Sequence, residues 1–136
     1  MKLARKLDQI QQHLHSLDAQ NFDAINFEWA GIKFSATSSK DRSGTYIVEV
    51  NAVLGRLYFT AEAPEKRAQA LQQFFIINRT CDGSYKMDQN GTIYYRNLTS
   101  TADHQTGLNL TNCLTLILLE SKKHLYQLRS LLKPTQ

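Results

Sequence analysis

The sequence predicts an α+β domain: an antiparallel sheet of about five strands covered by helices, in the order α-βββ-α-ββ-α. Three observations predict it. Apolar residues recur at helical spacing in three separate stretches, side chains alternate with a period of two between them, and the dipeptide Asn90-Gly91 divides two alternating runs. A length of 136 residues suits one domain over residues 1–136 with a real core. Hydrophobic content of 42% and charged content of 21% are those of a globular chain, not a disordered one.

Residues 2–19 carry Leu3, Leu7, Ile10, Leu14 and Leu17 at spacings of four, three, four and three. That is one narrow apolar stripe on a helix otherwise filled with Gln, His, Asp and Lys, the pattern of a helix that covers a sheet. A membrane-surface helix would carry a cationic band and aromatic anchors, whereas Asp8, Asp18 and several Gln occupy the remaining faces. Residues 18–21 break the helix, and a period of two returns over 22–35. Ile25, Phe27 and Trp29 alternate with Asn26 and Glu28, then Ile32 and Phe34 with Lys33 and Ser35. Either a hairpin turns at Ala30-Gly31 or one bent strand carries Gly31 in a bulge, and the bent strand is the favoured reading. Residues 38–44 have the Ser, Lys, Asp and Gly composition of a loop between strands.

The centre of the chain, residues 45–61, reads as two strands laid edge to edge. Tyr46, Val48, Val50 and Ala52 project to one side, Ile47, Glu49, Asn51 and Val53 to the other. Leu57, Phe59 and Ala61 repeat the device against Tyr58 and Thr60, with Leu54-Gly55-Arg56 as the turn. One face of this hairpin is apolar and has to be covered. Pro64, after Ala63 and before Glu65, stands where a first helical residue belongs. The helix it opens runs through Asn78, with Ala68, Leu71 and Phe75 on one line and Ala70, Phe74 and Ile77 on another. Its last turn, Phe74-Phe75-Ile76-Ile77, is apolar all round, more than a helix on a sheet needs. Either the last helix or a subunit contact must bury the outer side.

Residues 83–88 and 92–96 form a two-stranded meander turning at Asn90-Gly91, because both positions of that dipeptide tolerate positive φ. Residues 98–107 make a polar connection. From about 108 to 132 a long helix carries Leu110, Leu114, Ile117, Leu118, Leu125, Leu128 and Leu132, with Pro134 just beyond its end. At ~1.5 Å per residue it is about 40 Å long, enough to cross the sheet. Leu116, Leu119 and Leu131 fall off its main stripe, so this helix too has apolar residues on more than one face.

Reactive chemistry is sparse. Cys81 and Cys113 lack Cys-x-x-Cys or metal-ligand spacing; a disulfide between them is open but has nothing in the spacing to support it, and buried free thiols in a reducing cytosol are the default. Gln and His interrupt the opening residues where an export signal needs an apolar run, so a cytoplasmic protein is expected, and the four Asn-x-Thr triplets are composition. The apolar run 114–119 is too short to span a bilayer. His13 and His15 diverge on their helix, while His104 and His124 have no ligand-spaced neighbours, so no metal or cofactor is expected. Carboxylates are scattered singly, Glu49 being the one set to be partly buried on a solvated face, and neither Gly-x-Ser-x-Gly nor a P-loop occurs. The chain is therefore read as non-enzymatic. Its net charge of +4 gathers in Lys2, Arg5 and Lys6 at one end and Lys122, Lys123, Arg129 and Lys133 at the other. Solvated faces explain these cations, the alternative being a nucleic acid or anionic surface as partner. Tyr85, Lys86, Tyr94, Tyr95 and Arg96 interleave rings with cations, but Tyr alternating along strands more often packs across strands than stacks on bases.

The element order resembles the type III secretion chaperone fold and the YbjN-like proteins that share it. The likeness is closest in residues 61–96: Glu62-Ala-Pro-Glu-Lys-Arg-Ala68, then Phe75-Ile-Ile-Asn78, then Gly83-Ser-Tyr-Lys-Met-Asp-Gln-Asn-Gly-Thr-Ile-Tyr-Tyr-Arg96. The resemblance implies a small cytoplasmic homodimer that binds another polypeptide. It implies a dimer contact around the middle helix, at Leu71, Phe74, Phe75, Ile76 and Ile77. It also implies a partner groove lined by Leu3, Leu7, Ile10 and Leu14 with Phe27 and Phe34, where a protein or peptide segment lies as extended chain. Secretion chaperones are typically acidic and this chain is basic, so the regulatory role of the YbjN-like branch stands beside the chaperone role. Neither branch supplies catalytic residues.

Overall fold

In the computed structural model, residues 22–80 and 84–134 are described. They form β1 (Ala24–Trp29), β2 (Ile32–Lys40), β3 (Tyr46–Arg56), α1 (Pro64–Thr80), β4 (Tyr85–Met87), β5 (Thr92–Thr101) and α2 (Gly107–Ser130). The fold is α+β, with a five-stranded antiparallel sheet in the order β1-β2-β3-β5-β4. The helix expected over 2–19 lies outside the described residues.

The segment 22–35 is a hairpin and not the bent strand favoured from sequence. Strands β1 and β2 pair from Ala24↔Thr37 to Trp29↔Ile32 around the two-residue loop Ala30-Gly31. Ala30 has φ 55° and Gly31 φ 76°, the paired positive values that match the twist of flanking strands. This register sets Ile25, Phe27 and Trp29 opposite Ala36, Phe34 and Ile32, so both apolar sets share one face, which a single bent strand cannot arrange. The Phe34 ring stacks on Phe27 at 5.2 Å and on Trp29 at 6.1 Å between centroids.

The expected hairpin over 45–61 does not form. Strand β3 runs unbroken through Gly55, and residues 57–63 leave the sheet as a loop. Gly55 answers a different demand from a turn. Arg56 N donates to Lys133 O at 2.9 Å and Lys133 N returns a bond to Arg56 O at 2.8 Å, so the segment after α2 lies antiparallel against the end of β3. A Cβ on residue 55 would stand 2.7 Å from the Lys133 carbonyl oxygen. The loop is then held at its start, with Leu57 N donating to Gly91 O at 2.8 Å and Leu57 buried.

One turn chemistry is used twice, in Asp41-Arg-Ser-Gly-Thr45 and Asp88-Gln-Asn-Gly-Thr92. Asp41 N donates to Thr45 O (2.8 Å), and Asp41 Oδ1 accepts from the backbone N of Ser43 and of Thr45, both at 2.9 Å. Asp88 N likewise donates to Thr92 O (3.0 Å), and its Oδ1 accepts from Asn90 N (2.8 Å) and Thr92 N (3.0 Å). The meander at Asn90-Gly91 therefore forms, but as a loop of three residues between Asp88 and Thr92. Strand β5 continues to Thr101, into what read as a polar connection.

Pro64 opens α1 as expected, and Ala70, Phe74 and Ile77 are its buried residues. At its end the Asn78 side chain behaves like a neighbouring strand: Nδ2 donates to Tyr85 O (2.7 Å) and Oδ1 accepts from Tyr85 N (3.0 Å). This fixes the helix terminus on β4.

The chain divides into two compact units, Met1–Asn51 with Asn97–Leu119, and Ala52–Arg96 with Glu120–Gln136. The core of the first holds Trp29, Ile32, Phe34, Val48, Val50, Leu110, Leu114 and Leu118. Ser38 is its buried polar residue on the sheet, with Oγ accepting from Gln105 N (3.0 Å). The core of the second holds Leu54, Leu57, Phe74, Ile77, Tyr85, Ile93, Tyr95, Leu125 and Leu128. There the Tyr95 hydroxyl and Ser121 Oγ lie at hydrogen-bonding distance, 2.7 Å.

Candidate interaction surface

The second unit carries the surface of most interest, the outer side of α1. Helical spacing commits Ala70, Phe74 and Ile77 to the core, and one residue of advance turns the side chain by about 100°. Phe75 and Ile76 therefore face away, where they stay 61% and 39% exposed. Phe75 centres a strip with Ala68, Gln72 and Arg79 on the helix surface, and Leu71, half-buried, flanks it. The Phe75 ring meets Phe74 edge-on at 5.5 Å between centroids, so it is braced against the core residue beside it. Of the five residues expected at a dimer contact, Phe74 and Ile77 are core, Leu71 is at the margin, and Phe75 and Ile76 are open.

The loop after β3 adds a second exposed ring. The alternation of 57–61 predicts Phe59 on the sheet's apolar face, but it leaves the sheet and is exposed. The Arg56 guanidinium lies 4.2 Å from its ring centroid. Arg56 Nη1 also donates to Glu62 Oε1 (3.1 Å), Lys133 Nζ bonds Glu62 Oε2 (2.6 Å), and Phe59 N donates to Glu62 Oε1 (2.9 Å). Arg56, Lys133 and the Phe59 amide together hold the Glu62 carboxyl down to about 2. A carboxylate so well provided with donors is a poor proton acceptor near neutrality; it locks the loop.

In the first unit, Phe34 of the expected partner groove is core, while Phe27 is half-buried on the edge strand β1. Leu3, Leu7, Ile10 and Leu14 lie outside the described residues. His104 Nε2 stands 3.2 Å from Ser38 O and 3.6 Å from Asp23 Oδ2, with its ring stacked on Tyr46 at 5.6 Å. Among the described residues, no group of three or more His, Cys, Asp and Glu could hold a metal ion. Cys113 is half-buried, and burial pushes its thiol up, away from the reactive thiolate. Tyr85 and Tyr95 face each other across β4 and β5 and are buried, which removes them from any base-stacking platform. Of the expected ring-and-cation set, Lys86, Tyr94 and Arg96 are exposed. Tyr94 Oη donates to Asp88 Oδ2 (3.1 Å), which raises the phenol and helps lower Asp88. Glu49 is half-buried, and its Oε2 accepts from Asn51 Nδ2 (2.7 Å).

Among the described residues, no helix is long and apolar enough to cross a membrane. Comparison of the chain with protein-family models, curated proteins and solved structures finds no match in any of the three.

Proposed function

We propose that the chain is a non-enzymatic, cytoplasmic polypeptide-binding module that works as a homodimer, in the manner of the chaperone-like or YbjN-like regulatory adaptors it resembles. The outer face of α1 carries the reading: Phe75 and Ile76 are open on a helix whose other side is already committed to a core. Fully burying a phenylalanine is worth about 1.5–3 kcal/mol, so pairing two such faces supplies an association energy that no function within a single copy uses. The second copy takes this face. The polypeptide partner takes the edge of β1, where an added strand can pair with open backbone groups beside the half-buried Phe27.

Light scattering on the eluting peak of a size-exclusion column tests the dimer. The wild type should have the mass of two chains and Phe75→Asp that of one, with an unchanged circular dichroism spectrum. A monomeric wild type ends the proposal. Binding to anionic nucleic acid is the competing reading. It draws less support, because Lys133 is already paired with Glu62 and the Tyr85 and Tyr95 rings are sealed. Affinity that collapses as salt rises would favour it over an apolar contact.

A further inference from the structure

The turn between β4 and β5 holds a reactive pair of residues. Asparagine is among the chemically labile residues, and Asn90 alone among the asparagines of the chain precedes a glycine. It is also exposed. A glycine in the next position sets no side chain in the way of its own backbone nitrogen. That nitrogen attacks Asn90 Cγ: an N–C bond forms, the Cγ–Nδ2 bond breaks, and ammonia leaves with the proton that Gly91 N gives up. Water then opens the five-membered imide at either carbonyl. One opening leaves aspartate, the other isoaspartate, with the chain rerouted through the former side-chain carbonyl. Water is the only co-reactant.

The fold restrains this reaction. Gly91 N donates to Asp88 O at 3.1 Å, so the attacking nitrogen keeps its proton in a hydrogen bond. Asp88 Oδ1 accepts from Asn90 N (2.8 Å) and Thr92 N (3.0 Å), which ties down the backbone before and after the Asn90–Gly91 bond. Asp88 is itself a poor base for the Gly91 proton, because the Thr92 amide above all holds its carboxyl low. It restrains and does not catalyse, so attack waits for the turn to open. The same glycine anchors a second segment. Gly91 O accepts from Leu57 N at 2.8 Å, and a carbon added at Gly91 would stand 3.5 Å from Leu57 Cβ, so the buried Leu57 lies against this turn. Isoaspartate lengthens the backbone by a methylene just before Gly91 and leaves a free carboxylate near Asp88. The Asp88 bonds and the Leu57 bond then lose their geometry. Aspartate adds the charge but keeps the backbone.

We propose that Asn90 is a site of spontaneous modification gated by the Asp88 turn, and that its conversion to isoaspartate releases Leu57 from Gly91, freeing the start of the loop that carries Phe59. Mass spectrometry of the full chain kept in mildly alkaline buffer tests the gate. The mass gain of an amide turned carboxylic acid should appear first at Asn90, at least about tenfold more slowly than in the chain unfolded by guanidinium chloride. Asp88→Ala should speed it at least about fivefold. Asp88→Asn, which keeps a neutral acceptor in place, should speed it less, and Asp41→Ala, which breaks the twin turn, should leave it unchanged. Another asparagine reacting first, equal rates in the folded and unfolded chain, or wild-type rates in both Asp88 variants overturns the proposal. Hydrogen exchange on the separated isoaspartate form tests the release. Its Leu57 amide should exchange at least about tenfold faster than in the unmodified chain, while Asn90→Asp keeps the original protection. Leu57 protection that survives isoaspartate, or that Asn90→Asp loses equally, overturns the release.

Discussion

Replacing Gly55 with alanine sets a methyl carbon 2.7 Å from the Lys133 carbonyl oxygen and 3.1 Å from Leu132 Cβ. Neither neighbour is the free end of a flexible side chain, so the segment after α2 has to lift from β3. Lifting it breaks the paired bonds between Arg56 and Lys133 (2.9 and 2.8 Å), each worth about 0.5–1.5 kcal/mol net. It also exposes Leu132, buried in the native chain, at about 1.5–3 kcal/mol. Alanine at the φ of 145° found here adds strain of about 1–3 kcal/mol. These losses overlap, because a segment that has lifted no longer enforces the backbone angle, so about 3–5 kcal/mol is expected for the whole. For a chain of this size that lowers the melting midpoint by roughly 10–15 °C, read by circular dichroism or calorimetry. The decisive control deletes residues 132–136 from both backgrounds. If the close approach is the cause, Gly55→Ala in the shortened chain should cost at most the strain, and the cycle should show strong coupling. A substitution within about 0.5 kcal/mol of wild type, or an equal cost in both backgrounds, would refute the reasoning.

Three further outcomes follow from the same geometry. Ala30→Gly should stabilise the chain by about 0.5–1 kcal/mol in denaturant unfolding: the φ of 55° costs an L-residue about 1–2 kcal/mol, less the greater unfolded freedom of glycine. Asn78→Ala should destabilise by about 1–3 kcal/mol and speed exchange of the Tyr85 amide, whose acceptor is removed. Glu62 titrates in the folded chain at about 2 against an ordinary 4.5. Its stabilising contribution is thus complete above about 4.5 and is lost as pH falls through the interval down to about 2. Asp41 and Asp88 are lowered in the same sense, chiefly by the Ser43 side chain and the Thr92 amide respectively. Glu62→Gln should flatten the fall of stability between about pH 4.5 and 2, and a variant that loses stability as steeply as wild type over that interval would show the lock to be idle.

Periodicity reveals which residues turn inward, and here it located α1, α2, β5 and the inner side of β3. Where it failed, the deciding contact came from elsewhere in the chain. Gly55 reads as a turn because glycine usually marks one, yet its role is set by Lys133, many residues later. Phe59 satisfies a period of two by coincidence over a span too short to tell strand from loop. The hairpin at Ala30-Gly31 was ambiguous because alanine rarely adopts positive φ, and only the pairing of Phe27 with Phe34 makes that conformation worthwhile. The repeated Asp-x-(Ser/Asn)-Gly-Thr is itself a legible signal: it fixes both three-residue turns, through an aspartate accepting two backbone amides. At the candidate site, the all-apolar last turn of α1 pointed to an uncovered side, but composition alone could not say that Phe75 is outward while Phe74 is inward.

The disposition of acids bears on function as much as the greasy faces do. Among the described residues, the carboxylates with lowered pKa values, Asp41, Glu62 and Asp88, are lowered because each serves as an acceptor that shapes a loop. A group stabilised as an anion by several donors loses basicity in the same measure, so these are the acids least suited to moving protons at neutral pH. Polar side chains at the turns are thus consumed by folding, whereas the exposed Phe75, Ile76, Leu108, Leu116 and Leu119 are not consumed by either unit's core. Unspent apolar area on the outer side of α1 supports association, and a second copy of the chain is the occupant proposed for it.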